Sequence, residues 1–181
     1  KGGDLVTTLE GHTDTVRALA CSASGDIVSG SYDNSIKVWR GDACLRTLVG
    51  NPAWVCALAV SPVDDIIVSG SWDGTVKVQL GRTGECLATL GDHADAVMAV
   101  CVLDNGDVVT GSVDKSVRVW KRGSWTCTGE HRFYAVVHTV TRADGNGAVV
   151  AGGDYYSPGF VSMFRDGVRE WVVETASCIY W

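Results

Sequence analysis

The chain has 181 residues, 46% of them hydrophobic and 20% charged, enough for a sizeable core and too apolar for a disordered chain. A formal charge of −6 and a pI near 5.1, with no run of basic residues, argue against a nucleic-acid or anionic-membrane surface, since both bind through clustered Lys and Arg. No apolar stretch approaches the ~18 residues of a membrane helix, and the seven cysteines form no CxxC pair or Cys/His cluster of metal spacing. They are expected to be small core hydrophobes in a reducing, intracellular compartment, cytoplasm or nucleus, with no metal or cofactor.

From the N-terminus, "TLEGH" (8–12) leads to the apolar pair Val16/Leu19, the turn "SASGD" (22–26), "SGSYD" (29–33) and "VW" (38–39). The same order returns as "TLVGN" (47–51), Val55/Leu58, "SPVDD" (61–65), "SGSWD" (69–73) and "VQ" (78–79). It returns again as "TLGDH" (89–93), Val97/Val100, "LDNGD" (103–107), "TGSVD" (110–114) and "VW" (119–120). Asp33, Asp73 and Asp114 are 40 and 41 residues apart, as are Trp39, Gln79 and Trp120. A weaker fourth copy holds Val137/Val140, "ADGNG" (143–147), "VVAGG" (149–153) and "FVSMF" (160–164). Each copy parses into four short runs alternating apolar and polar with period two, which predicts strands. The Gly, Asn and Asp between them supply the positive φ of tight hairpins. Four antiparallel strands per ~40 residues, repeated about an axis, predict β-propeller blades.

From "GH" (11–12) through "SGSYD" (29–33) to "VW" (38–39), the sequence resembles the WD-repeat family, strongly in three repeats and loosely in the fourth. The resemblance implies an all-β fold of four four-stranded antiparallel blades, an arc of a larger ring of about seven. The repeats run approximately over 5–40, 44–80, 86–121 and 125–165, with a partial next blade at 168–181. Because a repeat is offset from a blade in this family, "LVTTL" (5–9) is expected to be an outer strand, and "SCIYW" (177–181) an inner one. The stretch 85–121 also resembles repeats in the propeller of the phospholipase A2-activating protein family.

The family further implies a hydrogen-bonded chain within each blade, running from Trp to Ser or Thr to His to Asp. A buried indole N–H is a donor only and requires an acceptor. Repeat one carries this set as His12, Ser29, Asp33 and Trp39; repeat three carries it as His93, Thr110, Asp114 and Trp120. Repeat two keeps Ser69 and Asp73 but has Asn51 for His and Gln79 for Trp, so that Gln79 reaches either Ser69 or solvent. Repeat four has Ala151 for the hydroxyl and Phe164 for Trp.

Such His/Ser/Asp sets use the residue types of a nucleophilic triad. Ser29 is nevertheless expected mid-strand beneath Trp39, with no G-x-S-x-G elbow to lift it out, so no catalytic residue is assigned. Asp64 and Asp65 are expected in a solvated loop, and His131 and His138 have no partner at metal-ligand spacing. Family partners dock near the central channel, beside the anchor Val of the inner strand and before the turn Asp. Carried over, this places Arg17, Tyr32, Trp54, Trp72 and Met98 at a protein or peptide partner. Tyr155, Tyr156 and Tyr180 are added from the less regular end. The alternative for Trp54 is a core position. Three functions follow: a protein-interaction scaffold, a ubiquitin-binding adaptor, or an architectural subunit of a large assembly.

Overall fold

The computed structural model describes residues 6–143, 147–154, 157–165 and 168–174, and these form sixteen strands in four antiparallel sheets. The first blade is β1 (Val16–Cys21), β2 (Ile27–Ser31), β3 (Ile36–Arg40) and β4 (Ala43–Leu48); the second is β5 (Val55–Val60), β6 (Ile66–Ser71), β7 (Val76–Leu80) and β8 (Cys86–Leu90). The third is β9 (Val97–Val102), β10 (Val108–Ser112), β11 (Ser116–Trp120) and β12 (Cys127–Arg132). The fourth is β13 (Val137–Ala143), β14 (Gly147–Asp154), β15 (Ser157–Arg165) and β16 (Val168–Glu174). Of the stretch 168–181, Val168–Glu174 therefore belongs to the fourth blade, pairing with β15 as its outer strand. "SCIYW" lies outside the described residues. Residues 6–9, from the stretch 5–9 expected as an outer strand, form no strand. An outer strand exists only by pairing with inner strands, and no described strand lies there to receive it.

Blades dock through one recurring device. A Cβ added to Gly30 would lie 2.5 Å from Val55 Cγ1, one on Gly70 would lie 2.6 Å from Val97, and one on Gly111 would lie 2.4 Å from Val137. Each middle-strand glycine is thus a socket that admits the first valine of the next blade. The packing runs from β1 and β2 onto β5, from β5 and β6 onto β9, and from β9 and β10 onto β13. Ion pairs join successive blades at the opposite end: Arg122 to Asp64, and Arg142 to Asp104 at 3.0 Å. Asp65 pairs with Arg82 at 3.1 Å, so Asp64 and Asp65 are both ion-paired and do not form a merely solvated turn.

No contact of comparable extent among the described residues returns from the fourth blade to β1. The leading face of the first blade is accordingly uncovered. Val16 and Leu19 are 47% and 69% exposed, whereas their counterparts Val55 and Leu58 are 0% and 9%. The cysteines divide in the same way by position. Cys56 and Cys101 are buried, with burial pushing the Cys101 thiol up to about 12. Cys21, Cys44 and Cys86 are exposed, against the expectation of core positions, because β1 lacks a covering blade and the outer strands face solvent. Cys178 lies outside the described residues.

Candidate functional site

In the first blade the Trp39 indole N–H donates to Ser29 Oγ at 2.8 Å, and Ser29 donates on to His12 Nε2 at 2.8 Å. His12 Nδ1 then donates to Asp33 Oδ2 at 2.8 Å. The third blade repeats this through Trp120, Thr110, His93 and Asp114 at 3.0, 2.7 and 2.9 Å. Each Asp is also held by backbone: Thr13 N–H bonds Asp33 Oδ2, and Ala94 N–H bonds Asp114 Oδ2, both at 3.0 Å. Burial raises the Asp114 carboxyl, but bonds from Ser116, His93 and Ala94 outweigh it and hold it at about 2. Burial lowers His93 more than Asp114 raises it, which favours the neutral ring this chain of donors needs. Ser29 and Thr110 are buried with their hydroxyls committed, so neither is presented to a substrate.

The other two blades have lost the chain in different ways. In the second, Ser69 donates to Asn51 Oδ1 at 3.0 Å, and Gln79 reaches neither Ser69 nor solvent. It is buried, with its amide donating to the Gly84 and Val49 carbonyls at 3.3 and 3.5 Å. In the fourth, ladder register corrects the alignment by one residue. Ser29 pairs with Leu19 and Thr110 with Val100, while Val150, not Ala151, pairs with Val140. "VAGG" resembles "VSGS" in sequence, but the inward-facing Val140 fixes the face and hence the register. Ala151 falls at the socket-glycine position. Phe133 stands in the His place, Phe160 in that of Ser35 and Ser116, and Phe164 in that of Trp. Phe133 stacks on Phe160 at 4.3 Å and meets Phe164 edge-on at 6.1 Å. An aromatic cluster has replaced the polar set as a unit.

The residues expected to face a partner occupy one repeated geometry at the rim. In every blade, the residue before the anchor Val accepts a backbone bond from the residue before the turn Asp. The bonds are Tyr32 to Thr15, Trp72 to Trp54, Val113 to Ala96 and Gly153 to Val136, at 2.9, 3.0, 2.9 and 3.1 Å. The residue after the anchor Val sits in a register shift in all four: Arg17, Cys56, Met98 and His138. Such a bulge re-aims a side chain out of the ladder. Arg17 and His138 are exposed, Met98 is half-buried and Cys56 is buried.

This frame puts three rings in a row. Trp54 stacks on Tyr32 of the preceding blade at 4.4 Å with planes 14° apart, and leans on Trp72 of its own blade at 5.4 Å and 52°. Trp54 is 42% exposed and Trp72 50%, so neither fills the core. Arg17 and Met98 occupy the equivalent bulge positions of the first and third blades. Tyr155, Tyr156 and Tyr180 lie outside the described residues, and the position before the fourth turn Asp belongs to Gly153. Sequence reasoning missed Phe133, whose place four residues before Val137 matches that of His12 before Val16 and could have revealed it.

Among the described residues, no group of His, Cys, Asp and Glu could hold a metal, and no helix is long and apolar enough to cross a membrane.

Four successive four-stranded blades, the first and third with this hydrogen-bonded set, define a segment of a β-propeller. Residues 3–40, 42–78 and 84–121 match the family model described as WD domain, G-beta repeat, and the chain belongs to that family. It is 35% identical over 120 residues to the ubiquitin homeostasis protein lub1 of Schizosaccharomyces pombe, covering 66% of this chain and 16% of that protein. It is 29% identical over 188 residues to a CCR4-associated factor 4 homolog of Candida glabrata, covering 92% of this chain and 32% of that protein. Among solved structures, the WD40 β-propeller domain of Doa1 superposes with a TM-score of 0.73 at 28% identity, over 80% of this chain and 50% of that one. U3-55K superposes with a TM-score of 0.83 at 21% identity, over 91% and 53%, a likeness of fold alone. The chain thus spans about half of these solved propellers and about a third or less of these curated relatives.

Proposed function

We propose that this chain is a non-catalytic protein-interaction module whose rim at Tyr32, Trp54 and Trp72 docks a protein or peptide partner. The observation that carries this reading is the row of three rings from two blades, with centroids 4.4 and 5.4 Å apart while both tryptophans stay about half exposed. Large contiguous aromatic surface is costly to leave in water and is enriched at binding hot spots. The polar triad types nearby are committed to the blades' internal bonding, so nothing among them is left to act as a nucleophile.

The test is selection of a random peptide display library on the chain, followed by paired measurements on Trp72→Ala. Selected peptides should bind this variant more weakly by ~2 kcal/mol or more, with a urea midpoint shift equivalent to less than ~1. Unchanged affinity would remove the rim as the docking face. A second reading, a ubiquitin-binding adaptor, is favoured by the likeness to lub1. Titration with ubiquitin by calorimetry, on the wild type and Trp72→Ala, tests it. No heat, or heat indifferent to the substitution, would count against it.

A further inference from the structure

The second blade differs from its neighbours at one atom whose two donors have both been removed. In the first and third blades, the turn Asp presents Oδ2 to a histidine and to the backbone N–H of the next residue, Thr13 or Ala94. In the second blade the histidine is Asn51, whose side-chain oxygen turns instead to Ser69. The next residue is Pro52, which has no N–H to give. Asp73 Oδ1 still accepts from Thr75 N and Oγ1 at 3.1 and 2.7 Å, but Oδ2 receives neither of the bonds its counterparts have.

The residue that carries this oxygen lies at the surface. Asp73 is exposed, and it directly follows Trp72 on the turn that carries the aromatic row. Burial tends to raise its carboxyl, but the bonds from Thr75, with smaller ones from the Ser71 hydroxyl and its own backbone N–H, outweigh this and keep it below the ordinary range, so it is ionised at neutral pH. Asp14 and Asp95, both exposed in the corresponding loops of the adjoining blades, add negative charge. Arg17 and Lys115 are exposed cations on the inner strand of the first blade and the turn of the third. A carboxylate beside indole faces is complementary to a cationic side chain, which gains from the ring quadrupole and the anion together.

We propose that the rim takes a basic segment of a partner protein, with an arginine or lysine side chain laid against Trp54 and Trp72 and its cation paired to Asp73 Oδ2. The inference rests on reading the rim as the docking face and adds the chemistry of what docks there.

The probe is the set of peptides selected by display on the chain, which should share at least one Arg or Lys. Replacing that residue by citrulline or norleucine, or replacing Asp73→Asn in the protein, should weaken binding about tenfold or more, the equivalent of one charge-assisted hydrogen bond. A second variant, Asn51→His with Pro52→Ala, restores both donors to Asp73 and should weaken binding similarly while leaving the carboxylate in place. Peptides without a basic residue would overturn the inference while leaving the aromatic face standing, provided Trp72→Ala still abolishes binding. So would peptides indifferent to both Asp73→Asn and the restored donors. Indifference to Trp72→Ala as well, or no selection at all, would overturn both.

Discussion

A tryptophan at the end of the third strand is admissible only with its partners. Trp39 and Trp120 each bury an indole N–H that is satisfied by one hydroxyl, and that hydroxyl, the histidine and the aspartate complete the chain. Removing the donor alone leaves the hydroxyl acceptor unmet and loses packing. Trp39→Phe and Trp120→Phe should therefore each lower stability by ~1 to 3 kcal/mol in urea melts. The third-blade pair also makes stability depend on pH. His93 is held below its ordinary 6.5 by burial, so the unfolded chain takes up a proton first, and stability present above that value declines as pH falls below it. Asp114 is held at about 2 against an ordinary 3.8, so its contribution is full above 3.8 and is lost as pH falls from there towards 2. Urea midpoints measured across this range should fall in both windows. In Thr110→Val, where the ring loses its hydroxyl partner, Trp120 should also lose its acceptor and the whole curve should lie lower.

At the scale of the blade, what matters is whether four positions change together. The second blade substitutes His and Trp by two amides; Asn51 accepts one bond from Ser69, and Gln79 donates to the Gly84 and Val49 carbonyls. The fourth dispenses with polarity and stacks Phe133, Phe160 and Phe164 in the same volume. The second blade's solution still leaves Asn51 Nδ2 and Gln79 Oε1 buried without a partner, whereas the aromatic set of the fourth has no side-chain polar atoms to satisfy. Docking between blades is equally specific, because a valine enters where a glycine leaves room. Gly70→Ala would drive a Cβ to within 2.6 Å of Val97 Cγ1 and 3.1 Å of Val100, so it should destabilise by ~1 to 3 kcal/mol, the cost of overpacking a filled core. A urea midpoint equal to that of the wild type would show that the blades separate without cost.

The described blades form an arc whose first blade is uncovered on its leading face. Val16 and Leu19 repeat the anchors that Val55 and Leu58 insert into the first blade, yet they face no described blade. Substitution should therefore have opposite consequences at equivalent positions. Leu58→Ser should cost ~2 to 5 kcal/mol, whereas Leu19→Ser should stay within about 0.5. Comparable losses in urea melts would mean that Leu19 is covered in solution. The same arc gathers the candidate site, since Trp54 gains its stacking partner Tyr32 only because the second blade docks on the first.

The period of 40 to 41 residues, the alternation of apolar residues and the turn chemistry determined the blades, because each is written in local spacing. The hydrogen-bonded sets of the first and third blades were legible for the same reason, as was the rim position of Trp72 before a turn aspartate. Tertiary structure alone decided the rest. It set the register of the fourth blade, where Val140 packing inward outweighs the resemblance of "VAGG" to "VSGS". It sent Gln79 to carbonyls of neighbouring loops, and it exposed Cys21, Cys44 and Cys86, which composition assigned to a core. It also joined Trp54, Tyr32 and Trp72 into one surface and left Asp73 Oδ2 without the donors of its counterparts, because Asn51 turns its oxygen to Ser69 and Pro52 has no N–H. Spacing along the chain states which residue faces which side of its own strand; only the docking of one blade on another states what it meets there.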